Sequence, residues 1–273
     1  MEAISAAQVP APAGVEVTVD RWVRGSTVHT TDRVAEEVPV ALIYNGEPHV
    51  VMLATPHDLE DLARGFSLSE ELVDSPDEIR GIEVGTTADS AEVRIAIAWE
   101  RFPELLRRRR NLTGRTGCGL CGAETLEQTV RTQTVVGTGP TVSAGQLHAA
   151  IEALPTHQVL NAGTGSVHAA AWVVPGGGIA CLREDVGRHN ALDKTLGALV
   201  QTGAELESGF MLVTSRASYE MVQKAATMGV TFMAALSAPT SFAIRHAQRC
   251  GMTLVGFARR EQHVVYANGQ RLV

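Results

Sequence analysis

Only four cysteines occur in the 273 residues, so no disulfide framework of the kind that staples small secreted domains can be built, and a reducing, cytoplasmic compartment is expected. No run reaches the eighteen or so uncharged apolar residues that a membrane span needs, so no membrane partner is expected. Positive charge is also short: the net charge is -7, which argues against nucleic acid as a general partner, because a phosphate backbone calls for a basic surface. Neither a Walker motif nor a GxGxxG fingerprint is present, and no repeat of fixed period or low-complexity linker interrupts the chain. Residues 1–14 are rich in Ala and Pro without a basic start and an apolar run, so they read as a disordered tail rather than a signal peptide.

What remains is ordinary for a globular protein, with 45% apolar and 19% charged residues, enough for one large domain or two smaller ones. Against that background stands Thr116-Gly117-Cys118-Gly119-Leu120-Cys121-Gly122-Ala123-Glu124, a CxxC among three glycines. Glycine tolerates backbone angles closed to other residues, so a mobile thiol loop is expected here. A CxxC is half of a structural zinc site, or a dithiol for sulfur or redox chemistry, or an accident; the spacing alone leaves these open. The thioredoxin reading is disfavoured, since a polar stretch and not a βαβ pattern surrounds the pair. Cys181 and Cys250 sit alone in apolar runs and read as small core residues. The four arginines of 107–110 read as a solvated helix face, or as a source of positive potential beside the thiols.

Taken in order, the valine alternation in 15–23 predicts a half-buried strand. Strands at 38–44 and 48–53 flank Asn45-Gly46, a hairpin turn dipeptide. Thr55-Pro56 predicts a helix start, as N-cap and first residue, with Leu59, Leu62, Ala63 and Phe66 on one face. After residue 139 helices and strands alternate: a capping box of Ser143 and Gln146, a hairpin around 175–178, helices near 189–201, 219–228 and 241–250, and strands between and after them. The division expected is a mostly β subdomain at 15–115, a cysteine loop and connector at 116–138, and an α/β domain at 139–273 with a mixed sheet and flanking helices.

In such sheets ligands settle at the carboxyl ends of parallel strands, where helix N-termini offer N–H groups. Three strand ends carry hydroxyls and arginines: Ser215, Arg216 and Ser218; Thr240 and Ser241; and 256–260. Singly each is an ordinary helix cap; together they suit a phosphate-bearing ligand. The polar run 183–194 reads as a solvated helix start or a cleft lining, and His168 as a core histidine.

The Cys118 loop, the run 183–194, the stretch 215–224 beginning Ser215-Arg216-Ala217-Ser218, and Ala238-Pro239-Thr240-Ser241 together resemble the FdhD family of formate dehydrogenase accessory sulfurtransferases, over residues 34–273. The resemblance implies a persulfide carrier that takes sulfur from a cysteine desulfurase. It would pass that sulfur to the molybdenum cofactor, as bis(molybdopterin guanine dinucleotide), before insertion into formate dehydrogenase. It assigns the persulfide to Cys118, an assisting role to Cys121 and cofactor contacts to Phe257, Ala258, Arg259, Arg260, Glu261 and Gln262. It further implies a homodimer with a C-terminal domain like the cytidine deaminase fold. Deamination itself is not expected: the HxE and PCxxC of zinc deaminases are missing, with Ala170 two residues after His168 and Gly117 before the CxxC. The competing reading is a non-catalytic zinc- or cofactor-binding chaperone.

Overall fold

The computed structural model describes residues 14–103, 105–106 and 134–273; Cys118, Cys121, the arginine run 107–110 and residues 1–13 lie outside them. β1 (Gly14–Val23) and β2 (Ser26–Ala35) pair antiparallel in unbroken register, from Gly14 opposite Ala35 to Val23 opposite Ser26. Arg24 and Gly25, both at positive φ, make the two-residue turn that this pairing requires. Val15, Val17 and Val19 are partly buried and alternate with exposed neighbours, as the half-buried reading of 15–23 expects, while the outer end of the strand, from Asp20 to Val23, is exposed.

β3 (Val38–Tyr44), β4 (Glu47–Ala54), β5 (Ile79–Thr86) and β6 (Ala91–Ile97) form a sheet in the order β4-β3-β6-β5, with β3 and β6 parallel. The Asn45-Gly46 turn is as the dipeptide predicts, and Asn45 also bonds across the sheet, accepting from the Ile97 N–H at 2.9 Å. α1 (Leu59–Ser69) lays Leu59, Leu62 and Ala63 on Val40, Leu42, Val93 and Ile95, which closes this core. The helix begins later than the Thr55-Pro56 pair predicts. Asp58, at φ 53°, is its N-cap, because the amide and hydroxyl of Thr55 are held by Asp185 from the second sheet.

α2 (Ala144–His157) opens with the predicted capping box, and α3 (Val159–Thr164) follows it and meets the base of the β1–β2 ribbon. β7 (His168–Val174), β8 (Gly178–Asp185), β9 (Phe210–Val213), β10 (Phe232–Ala235), β11 (Thr253–Arg259) and β12 (Gln262–Ala267) make a mixed sheet in the order β12-β11-β10-β9-β7-β8. β9, β10 and β11 run parallel, and β7, β8 and β12 antiparallel to their neighbours. α4 (Arg188–Gln201), α5 (Tyr219–Thr227) and α6 (Ser241–Cys250) cover one face through Leu192, Leu196, Val222 and Ala247, while α2 covers the other through Leu147, Ile151 and Leu154.

The two sheets are joined helix to helix. α1 crosses α4 so closely that a Cβ on Gly65 would stand 1.8 Å from the Asp193 carbonyl oxygen, and one on Gly197 would stand 1.9 Å from that of Asp61. Only glycine permits that approach. Among the described residues no helix is long and apolar enough to cross a membrane.

Candidate functional site

The chain leaves β9, β10 and β11 at the same edge, and the three departures are stitched together. Leu236 N–H donates to Val213 O (2.9 Å), Thr240 N–H to Ala217 O (3.1 Å) and Phe257 N–H to Ser237 O (3.1 Å), with Ala217 and Pro239 in a parallel bridge. Gly256 completes the seam, since a Cβ there would meet Pro239 at 2.6 Å. The result is a ledge at the carboxyl edge of the parallel strands, carrying the N-termini of α5 and α6.

Hydroxyls on this ledge differ in what they can still bind. Ser218, the N-cap residue of α5, makes no capping bond, and its buried Oγ has no hydrogen-bond partner among the described residues. Thr240 is spent as a cap, accepting from the Ala243 N–H at 3.2 Å. Ser215 is buried and donates to the Arg216 carbonyl at 3.1 Å. Arg216, Ser241 and Phe257 are exposed.

The predicted cofactor segment is split by the fold. Phe257 lies on the ledge at φ 47°, whereas Ala258 is wholly buried toward α2. Arg259, Arg260, Glu261 and Gln262 make the exposed β11–β12 turn, where Arg260 pairs with Glu152 of α2 at 2.6 Å.

β7 enters beside the end of β9, where Ala169 N–H donates to Thr214 Oγ1 at 2.9 Å, and this sets His168 at the ledge. Opposite it β8 ends at Asp185, and the chain turns through Gly187 into α4. His189 in that first turn pairs with Glu220 in the first turn of α5, Nε2 to Oε2 at 2.9 Å, and the Nε of neighbouring Arg188 is buried without a partner among the described residues. Burial, with Arg188 and His189 adding to it, draws His168 below the ordinary imidazole value and keeps it neutral. Ser218 and Arg188 thus bring unpaired donors to two adjoining helix starts, an arrangement suited to an anion.

Two buried ion pairs hold the first turns of α4 in place, and they correct the solvated reading of 183–194. Asp185 and Lys194 are both inaccessible to solvent and meet at 2.6 Å. Lys194 also donates to Thr55 Oγ1 (2.8 Å) and Thr55 O (3.0 Å), while Asp185 accepts from Gly187 N–H (2.8 Å) and Asn190 (3.0 Å). Burial lowers the Lys194 ammonium pKa, against the pull of Asp185. In the second cluster Lys224 meets Asp193 and Glu70 at 2.8 Å each, and Ser69 at 3.0 Å. Burial opposes the Lys224 charge, yet two carboxylates around one ammonium outweigh it and raise its pKa; burial raises that of Asp193 as well. The partners from outside that run, Thr55, Ser69, Glu70 and Lys224, were not legible in the sequence, because they lie on elements up to 155 residues away. The only signal was the density of charge itself.

Among the described residues no three His, Cys, Asp or Glu side chains are placed to hold a metal. Cys250 is buried as expected; Cys181 is half-buried in a cleft of about 1000 Å³ with Trp172, Arg183 and Thr202, and burial raises its thiol pKa. That cleft contains no ledge residue, and a thiol held protonated is a poor nucleophile.

The sequence profile of the FdhD/NarQ family matches residues 35–273. The sulfur carrier protein FdhD of Cupriavidus necator is 51% identical over 261 residues, covering 96% of this chain and 91% of its own. That of Xanthomonas euvesicatoria is 49% identical over 261 residues, covering 96% and 93%. A crystal structure from Desulfotalea psychrophila, of a protein described as a formate dehydrogenase accessory protein, shares the fold with a TM-score of 0.76 at 22% identity, over 96% of this chain and all of that one.

Proposed function

This chain belongs to the FdhD/NarQ family, and from that premise we propose that it is a sulfur carrier that takes persulfide sulfur from a cysteine desulfurase onto Cys118 and delivers it to the molybdenum cofactor destined for formate dehydrogenase. The names of the relatives support sulfur carriage. The observation that carries the acceptor half of the reading is the ledge, where Ser218 and Arg188 carry donors with no partner among the described residues, beside exposed Arg216. A bis(guanine dinucleotide) cofactor presents phosphates, and helix starts with unpaired donors are where phosphates bind.

In the loading step the Cys118 thiolate attacks the terminal sulfur of the desulfurase persulfide. The donor S–S bond breaks, the donor cysteine leaves as thiolate, and Cys118 carries the sulfur with no external oxidant. In the release step the Cys121 thiolate attacks the inner sulfur of that persulfide. A Cys118–Cys121 disulfide forms, and the outer sulfur departs as hydrosulfide toward the acceptor, two electrons having come from the thiols. The ledge does none of this chemistry; its residues bind and orient the nucleotide ends of the acceptor. The same reading has the carrier working in the cytoplasm as a homodimer.

GDP is the direct probe of the ledge. Calorimetric titration of the full chain should show binding that weakens about tenfold or more in Arg216→Ala, the scale of a lost charge-assisted contact. Arg260→Ala, in the turn held by Glu152, should bind as the native chain does. Absence of GDP binding, or equal affinity in Arg216→Ala, contradicts the ledge as the acceptor site.

A further inference from the structure

Among the described residues, two apolar faces in the first 54 residues are left largely open to solvent, the ribbon's toward its outer end and the other on the first sheet. On the β1–β2 ribbon the cross-strand register puts Val15, Val17, Val19 and Val23 of β1 on one face with Val28 and Val34 of β2, while Glu16, Thr18, Asp20, Thr27, His29 and Thr31 take the other, whose one large apolar residue is Trp22, opposite Thr27 near the turn. Val23, Val28 and Val34 are 45%, 50% and 41% exposed. A lone two-stranded ribbon is marginal in water, and one with a bare valine face calls for a cover.

The second face is the outer side of the four-stranded sheet. Pro39 pairs with Leu53, Ala41 with Val51 and Ile43 with Pro48, so six apolar residues line the side away from α1, with Val51 and Leu53 63% and 57% exposed. Each face also carries one opposite-charge pair: Arg21 with Asp32 at 3.4 Å on the ribbon, and Glu92 with Arg94 at 2.6 Å on the sheet, beside Ala41 and Ile43. The exposures show that the ribbon does not cover the sheet of its own chain.

We propose that the β1–β2 ribbon is an exchange arm, its valine face lying on the outer sheet face of a second copy of this chain. The two-fold operation that seats one arm seats the other, so both bare faces are covered by one symmetric contact. Area favours a second copy over an unrelated protein. Ten residues per strand give a ribbon about 33 Å long and about 10 Å wide, or at most about 330 Å² per face, since the valines at its base are partly buried already. Two arms on two sheets bury at most about 1,300 Å², at the lower end of stable interfaces, while one arm on a foreign surface buries at most about half that. The charge pairs add register, since Arg21 and Asp32 can each face an opposite charge on the partner's sheet. The proposal rests on the homodimer in the proposed function and on no part of its sulfur chemistry.

Sedimentation equilibrium of the full chain across micromolar concentrations tests it. The native chain should be a dimer. Val28→Glu and Val51→Glu, both at exposed positions that leave the folded core intact, should each weaken association by at least about tenfold. Thr31→Glu adds the same charge on the opposite face, across from Thr18 and away from Trp22, and should associate as the native chain does. A monomeric native chain overturns both the pairing and the arm. A dimer that survives Val28→Glu, or that Val28→Glu splits and Val51→Glu does not, overturns the arm on the sheet while leaving the homodimer and the sulfur reading standing.

Discussion

Lys224 stands between Asp193 and Glu70, and that arithmetic decides what its loss does. Lys224→Met leaves two carboxylates facing each other in a buried site, and breaking a buried pair in this way costs about 3–5 kcal/mol. Urea unfolding should show that loss, and a change under about 1 kcal/mol would mean that the cluster is not closed as described. Histidines contribute to the response to acid. Burial lowers the pKa of His57, His168 and His246 in the folded chain, so as pH falls through about 6.5 the unfolded chain takes up protons first and stability declines. The decline ends below the folded-state values, where both states are protonated. His168→Gln removes one contributor, so the urea midpoint should fall less between neutral pH and pH 5.5 than in the native chain; an equal fall would show that His168 is not held neutral.

At the scale of elements, α1 and α4 meet only because Gly65 and Gly197 carry no side chain. Gly65→Ala must push the helices apart or bend them, at about 1–3 kcal/mol or more. Its effect and that of Gly197→Ala should be less than additive, since either one already opens the crossing. Thermal melts of the three variants check this, and a double variant that loses the sum of the singles contradicts a shared contact. Neither glycine stood out in the sequence, because a close approach depends on what lies opposite. Periodicity and turn chemistry did reveal the elements themselves, from the Asn45-Gly46 hairpin and the Ser143 capping box to the strand and helix alternation after residue 139. β2 escaped notice because its Thr, His, Asp and Arg residues carry no apolar period, and only its register with β1 gives it a face. The start of α1 was misplaced because Thr55 serves Asp185 rather than a helix end. The ledge was legible as hydroxyls and arginines after apolar strands. Which hydroxyls stay unbound was not, since Ser215 and Thr240 are consumed by bonds within their own loops.

Across the whole molecule, the contacts that join the two sheets are also those that frame the ledge. Asp185 takes Thr55 from the first sheet and Gly187 at the start of α4, and two residues later His189 reaches Glu220 beneath Ser218. Under the proposed function this edge holds the acceptor while Cys118 carries the sulfur. The most direct test is the intact mass of the full chain after incubation with a cysteine desulfurase and cysteine. The native chain and Cys121→Ala should each gain at least one sulfur that dithiothreitol removes, and Cys118→Ala should gain none. A Cys118→Ala chain that takes up sulfur as the native chain does would contradict the assignment on which the carrier function depends.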